Sequence, residues 1–152
     1  ELAAAHIAEE NTRVRALRDR LEAGLMSAIP DAVVNGDREN RLPNTLNIAF
    51  KYIEGEAILL LLDRIGVCAS SGSACTSRSL EPSHVLRAMG VPFTHVHGSV
   101  RFSLSRYTTQ EEIDYVLREL PPVAARLREI SPFGQDGAPC LRNAEACTAT
   151  TR

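Results

Sequence analysis

The chain has 152 residues, of which 44% are hydrophobic and 24% charged, and its net charge at pH 7 is −2. These values are ordinary for a globular protein and allow one domain with a hydrophobic core. The small negative charge gives no basic surface of the kind that binds nucleic acid. No apolar run is long enough to span a membrane and no signal peptide opens the chain. We therefore expect neither nucleic acid nor a membrane as a partner.

The cysteines indicate free thiols rather than a disulfide framework or a zinc site. They lie at Cys68, Cys75, Cys140 and Cys147, and none forms the C-x-x-C pair that is typical of zinc sites. Two lie in the body of the chain and two in its polar end. Because free thiols persist in a reducing compartment, we expect a cytoplasmic protein.

The first predicted element is a long helix. Apolar residues recur at spacings of three, four and seven from Ile7 to Leu25, so a helix is expected from Glu1 to about Ala28, before Pro30. At 1.5 Å per residue, a helix of this length spans roughly 40 Å. A helix this long, starting without a cap, suggests a piece of something larger.

Strands and helices then alternate. The segments with strand character are 31–35, 45–51, 67–70 and 99–105. The segments with helical character are 54–64, 82–89 and a last region that opens at the capping box Thr109-x-x-Glu112. Pro121-Pro122 should break or kink this last helix near Leu120, with a second piece to about Ile130.

This alternation predicts an α/β or α+β fold, in which a small sheet is covered by helices. We expect residues 1–30 to form the long helix, residues 31–133 to form a small domain, and residues 134–152, rich in Gly, Pro, Ala and Thr, to form a flexible tail.

The segment Ser70–Ser77 reads SSGSACTS and places Cys75 among small residues. Such residues cannot fill a core, so they predict a solvated loop. A lone thiol on such a loop can reach another molecule. It can equally be a cysteine that happens to lie in a surface turn.

Arg101 is the second candidate site residue. On the predicted strand 99–105, Val100, Phe102 and Leu104 share one face, and Arg101 lies on the other between serines. Its planar guanidinium suits a carboxylate. The alternative is a surface arginine with a solvated head.

Two histidines form a weaker candidate. His95 and His97 flank Val96 on a stretch that we interpret as extended, so both could face the same way and bind a metal. No third ligand is evident, which makes a metal site the less favoured interpretation.

Several blocks resemble cysteine desulfurases in order and spacing. They read NRLPNTLNIAF at 40–50, YIEGEA at 52–57, SSGSACTS at 70–77, SLEPSH at 79–84 and HGSVRFSLSRYTT at 97–109. The resemblance is to the C-terminal part of this family, closest to the NifS type that supplies sulfur for nitrogenase, and runs from Glu1 to about Phe133. Arg78 departs from the pattern, because the family usually has a small residue there.

The resemblance implies a fold-type-I pyridoxal phosphate enzyme. Family members are homodimers with a large cofactor domain, which holds pyridoxal phosphate on a Schiff-base lysine, and a small C-terminal domain. The only lysine here is Lys51, which lacks the family's neighbouring cofactor residues. We therefore expect a fragment whose N-terminal pyridoxal phosphate domain lies upstream, and which is inactive alone.

The resemblance also assigns roles to residues. It makes Cys75 the nucleophile that takes sulfur from L-cysteine as a persulfide and leaves L-alanine, and Arg101 the residue that holds the substrate carboxylate. It further implies an iron–sulfur scaffold protein as sulfur acceptor, with Cys75 a transient shared ligand of a [2Fe-2S] cluster. The alternatives are a non-catalytic, aminotransferase-like small domain and a stand-alone persulfide carrier.

Overall fold

A computed structural model describes residues 2–71 and 83–131. The helical elements are α1 (Leu2–Glu9), a π-helical segment (Glu10–Val14), α2 (Arg15–Ala28), α3 (Gly55–Arg64), α4 (His84–Ala88), α5 (Phe93–Val96) and α6 (Gln110–Glu129). The strands are β1 (Ala32–Val34), β2 (Thr45–Phe50), β3 (Ser70–Ser71) and β4 (Ser99–Ser103). No helix within the described residues is long and apolar enough to cross a membrane.

The four strands form one antiparallel sheet in the order β1-β2-β4-β3. Strand β4 therefore lies between β2 and the short edge strand β3. In this register Arg101 is opposite Asn47 on one side and Ser70 on the other. The sheet thus joins the strand of Arg101 to the segment that leads toward Cys75.

Helices α2, α3 and α6 pack on one face of the sheet. The core residues that the strands contribute are Leu46, Ile48, Phe50, Val100 and Phe102. The helices contribute Leu21 and Leu25 of α2, Ile58 and Leu62 of α3, and Leu120, Ala124 and Leu127 of α6. The predicted α+β class, a small sheet covered by helices, is confirmed.

The N-terminal helix ends at Ala28 as predicted, but it is not uniformly α-helical. Residues Glu10–Val14 form a π-helical segment between α1 and α2. Within it, the Thr12 hydroxyl lies within hydrogen-bonding distance of the carbonyls of Ala8 and Glu9. Such segments commonly occur as a single wider turn inside an α-helix.

An ion-pair cluster joins α2 to the connection between β1 and β2. Glu22 is buried, and its Oε1 accepts hydrogen bonds from Arg38 Nη2 at 2.7 Å and Nε at 3.0 Å. Its other oxygen lies 2.5 Å from Arg41 Nη2 as an ion pair without hydrogen-bond geometry. Arg18, also buried, donates to Leu42 O at 2.7 Å. These contacts attach residues 38–42 to the helix.

The capping box that opens α6 is confirmed. Of the predicted break or kink near Leu120, the break is wrong and the kink stays a prediction. Thr109 N donates to Glu112 Oε2 at 2.9 Å, and Glu112 N donates to Thr109 Oγ1 at 3.3 Å. The helix continues through Pro121 and Pro122 to Glu129. Proline removes a backbone donor, but buried residues on both sides of the pair, Leu120 before it and Ala124 and Leu127 after it, hold both halves against the core.

The predicted strand 67–70 is also wrong in extent, because only Ser70 and Ser71 pair. Val67 N donates instead to Leu62 O at 2.9 Å, which ties this segment to the end of α3. Cys68 is consequently exposed. The predicted helix 82–89 is observed as α4, and its first predicted residue lies outside the described ranges.

Candidate functional site: a polar row on the sheet

A row of polar residues crosses the face of the sheet opposite the helices. We call it the polar row: Asn35, Asn47, Arg101 and Ser70. Asn47, Arg101 and Ser70 are cross-strand neighbours, and Asn35 N donates to Asn47 O at 2.9 Å just beyond the end of β1. All four are partly exposed. The row therefore combines a cation with amide and hydroxyl groups on a surface that ligands can reach.

Arg101 lies on the face predicted from the sequence. Its Nε is buried, yet it donates no hydrogen bond to any residue of the described segments. A buried donor without a partner is costly in a folded protein, and such groups call for an explanation. A carboxylate is a suitable partner, because it accepts two parallel hydrogen bonds from the guanidinium fork. The assignment of this residue to a substrate carboxylate stays a prediction.

Cys75 lies outside the described residues, as do Arg78, Cys140, Cys147 and the predicted tail 134–152. Along the sequence, Cys75 follows Ser70, the cross-strand partner of Arg101, by five residues.

Asn35 links the polar row to Ser99. Its Nδ2 donates to Asn47 Oδ1 at 2.8 Å and to Ser99 Oγ at 3.0 Å. Ser99 is buried, and its hydroxyl donates in turn to His95 O at 3.0 Å. Sequence reasoning missed Asn35 and Asn47 as site residues, because their meeting depends on how β1, β2 and β4 pair.

The interpretation of His95 and His97 as an extended stretch is wrong. His95 lies in α5 and His97 caps its C-terminus, because Pro92 O accepts hydrogen bonds from the backbone of His95 and Val96. Burial, followed by the charge of Lys51, lowers the pKa of His95. Among the described residues no three His, Cys, Asp or Glu side chains are grouped to hold a metal.

An apolar pocket of about 440 Å³ lies beside His97. Its lining includes Ile53, Ala57, Phe93, His97, Leu127 and Ile130. The Phe93 ring meets the His97 imidazole edge-on, with centroids 4.6 Å apart. His97 Nε2 is buried without a hydrogen-bond partner within 2–71 and 83–131. This pocket could not be predicted from the sequence, because its walls come from three separate segments.

Lys51 does not fit the role of a cofactor lysine beside Arg101. It follows β2 four residues after Asn47, which is roughly 13 Å along a strand. Its ammonium lies 4.6 Å from the centroid of the Tyr52 ring. The described residues therefore offer no lysine that could hold pyridoxal phosphate next to the polar row.

Comparison with known proteins gives the family. The family description "Aminotransferase class-V" matches residues 2–116. The chain is 64% identical over 139 residues to a cysteine desulfurase of Azotobacter chroococcum mcd 1, covering 91% of this chain and 35% of that protein. It is 67% identical over 130 residues to the cysteine desulfurase NifS of Azotobacter vinelandii, covering 86% of this chain and 32% of the relative.

Solved structures agree with these relatives. A NifS-like protein superposes with a TM-score of 0.71 at 32% identity, covering 83% of this chain and 31% of the other. A NifS-like protein from Rickettsia africae gives 0.70 at 28% identity, covering 82% and 31%. The chain thus spans about a third of the length of the relatives it matches. It belongs to the class-V aminotransferase family, and its predicted resemblance to NifS-type cysteine desulfurases is confirmed.

Proposed function

We propose that the protein containing this chain is a cysteine desulfurase. L-Cysteine and the Cys75 thiol give L-alanine and a Cys75 persulfide: the substrate C–S bond breaks, an S–S bond forms, and a thiol proton ends on the substrate carbon. The observation that carries the proposal is the unpartnered Arg101 Nε, on the strand that pairs with Ser70 at the root of the Cys75 loop. The similar proteins named cysteine desulfurase support it.

In this proposal the residues of the chain bind the substrate and receive its sulfur. Arg101 holds the carboxylate through its guanidinium fork, which fixes the position of the amino acid. Cys75, five residues after Ser70 in the sequence, accepts the sulfur and carries it away from the sheet. Pyridoxal phosphate, held by a part of the protein outside this chain, would supply the electron sink. The chain alone is then inactive, because Lys51 is not placed for that cofactor.

The finer parts of the proposal concern assembly and delivery. We propose a cytoplasmic homodimer in which residues 1–30 lead from the cofactor domain, residues 31–133 form the small domain and residues 134–152 form a tail. The persulfide passes to an iron–sulfur scaffold protein for nitrogenase cluster assembly. Cys75 is then a transient shared ligand of the [2Fe-2S] cluster that is being built, which is cargo rather than a resident group.

The test is labelling with [35S]cysteine in the full-length protein. Four single variants are compared, namely Cys68→Ala, Cys75→Ala, Cys140→Ala and Cys147→Ala. We expect protein-bound label and alanine formation to be lost only in Cys75→Ala, with its pyridoxal phosphate spectrum unchanged. Cys68→Ala is the matched control, because Cys68 is an exposed thiol close to the same loop.

Two outcomes would overturn the proposal. Label retained on Cys75→Ala would place the sulfur on another group. A parent protein that forms no alanine from L-cysteine would show that the reaction is a different one, whatever its labelling.

A further inference from the structure

We propose that Asn47 is a second hydrogen-bond donor to the substrate carboxylate, beside Arg101. The inference rests on the proposed function, because the carboxylate is that of the amino-acid substrate. Asn47 is the β2 residue directly opposite Arg101. Directly opposed residues have Cβ atoms about 4.5–5.5 Å apart, so both side chains can reach one small anion.

The direction of the Asn47 amide follows from a chain of hydrogen bonds. The carbonyl of His95 can only accept, so the single Ser99 hydroxyl proton is used there, at 3.0 Å. The Asn35 group 3.0 Å from Ser99 Oγ must then donate, which identifies it as the amide nitrogen. That nitrogen also lies 2.8 Å from the Asn47 amide, where it needs an acceptor, so the contacting atom is Oδ1.

This assignment leaves the Asn47 amide nitrogen as the free end of the side chain. The group carries two N–H donors, and in the described segments it donates to no other residue. Arg101 Nε, on the neighbouring strand, is likewise without a partner. Two adjacent residues of the polar row thus have donors without a partner on the same face of the sheet.

The chemistry of these donors selects an anion with several acceptor sites. A carboxylate offers about four lone pairs, and a bidentate arginine uses two of them. An amide N–H can occupy a third. No Asp or Glu of the described segments forms an ion pair with Arg101, so no internal acid there competes with the ligand. Asn47 therefore complements Arg101 rather than neutralising it.

The test uses the full-length protein with its cofactor and compares two ligands. L-Alanine carries the amine, the methyl group and the carboxylate, and ethylamine lacks only the carboxylate. Binding of each is measured by calorimetry on the parent, on Asn47→Asp and on Asn47→Ala, together with kcat and KM for L-cysteine. Asn47→Asp keeps an acceptor for Asn35 but puts an acceptor in place of the free donor.

The matched control is Thr45→Val. Thr45 is on β2 two residues from Asn47 and on the same face, but it is opposite Ser103 and not Arg101. It tests whether any change on this face of β2 disturbs ligand binding. Thermal unfolding of each variant reports whether the fold is kept, and Asn47→Ala carries the test if Asn47→Asp fails to fold.

We expect L-alanine to bind about 10-fold to 100-fold more weakly to Asn47→Ala, as for the loss of a hydrogen bond to a charged group. Binding to Asn47→Asp should be weaker still, because its carboxylate also repels that of the ligand. KM for L-cysteine should rise similarly, while kcat and ethylamine binding stay near parental values. Equal weakening of both ligands, or no change in either, would overturn the role of Asn47. The proposed function fails separately, if the parent forms no alanine from L-cysteine.

Discussion

Removal of the Glu22 carboxylate should destabilise the chain far more than removal of the exposed cation that it binds. The perturbation is Glu22→Gln, which keeps the size of the side chain and removes its charge. The Glu22 side chain is 7% exposed, Arg41 is 15% exposed and Arg38 is 64% exposed. The substitution therefore removes the nearer carboxylate of the largely buried Arg41, which keeps only Asp19 Oδ1 at 4.0 Å.

The exposures set the expected magnitudes. Breaking a buried ion pair by removing one partner costs about 3–5 kcal/mol, because the remaining charge is uncompensated. Some solvent reaches Arg41 and the Asp19 carboxylate stays 4.0 Å from it, so we expect the low end of this range, about 3 kcal/mol, for Glu22→Gln. Arg38→Met removes an exposed partner and should cost about 0–1 kcal/mol. The double variant Glu22→Leu with Arg41→Met should cost less than Glu22→Gln, because it removes both buried charges.

The assay is reversible thermal and urea unfolding of the 152-residue chain, followed by circular dichroism. For a chain of this size, 3 kcal/mol corresponds to a fall in Tm of roughly 6–12 °C. Arg38→Met is the matched control, because it removes a hydrogen-bonded partner of the same carboxylate. If Glu22→Gln lowers Tm no more than Arg38→Met, the buried ion pair does not contribute as argued.

Three further predictions concern single positions. Gly98→Ala should lower the unfolding free energy strongly in a urea titration, because its Cβ would lie 2.1 Å from Phe50 O. The control Gly24→Ala should change the unfolding free energy little, because its Cβ would meet only the flexible Leu117 side chain. The pKa of Asp37 is lowered, chiefly by the hydrogen bond from Asn40 N and then by that from Glu39 N. The ionised Asp37 carboxylate therefore stabilises the fold above its unfolded-state pKa, and this effect is lost as pH falls through the lower folded-state value. Asp37→Asn should consequently lose less stability than the parent below about pH 4. If the unfolding free energies of the two proteins fall in parallel with pH, the prediction is contradicted. Iodoacetamide should modify Cys68 in the folded chain, because this thiol is exposed. If mass spectrometry finds the Cys68 peptide alkylated only after denaturant is added, the prediction is contradicted.

The alternating pattern of β4 was enough to predict its two faces. Val100 and Phe102 are buried in the core and Arg101 is partly exposed on the other face, because side chains alternate strictly along a strand. The pattern could not predict the partners of Arg101. Asn47 and Ser70 lie 54 and 31 residues away in sequence, and antiparallel register between such distant strands is decided by the packing of the whole sheet.

The wrong predictions have local causes that tertiary contacts override. Pro121-Pro122 lowers helix propensity, but the buried Leu120 and Ala124 beside it keep α6 continuous. The apolar Val67 belongs to no strand, because its N–H is already bonded to α3. The role of Cys75 is predicted only from the resemblance and from the composition of the segment Ser70–Ser77, and Cys75 lies outside the described residues.

The two faces of β4 separate the apolar core positions Val100 and Phe102 from the polar positions Ser99, Arg101 and Ser103, in strict alternation. A shift of one residue in register would bury the guanidinium of Arg101 and expose Phe102. The strand therefore cannot shift along its neighbours to move its arginine, and if the proposed function holds, a change of substrate requires substitutions on the polar face at unchanged register. In a saturation screen along this strand, defects in abundance and defects in specificity should recur with a period of two.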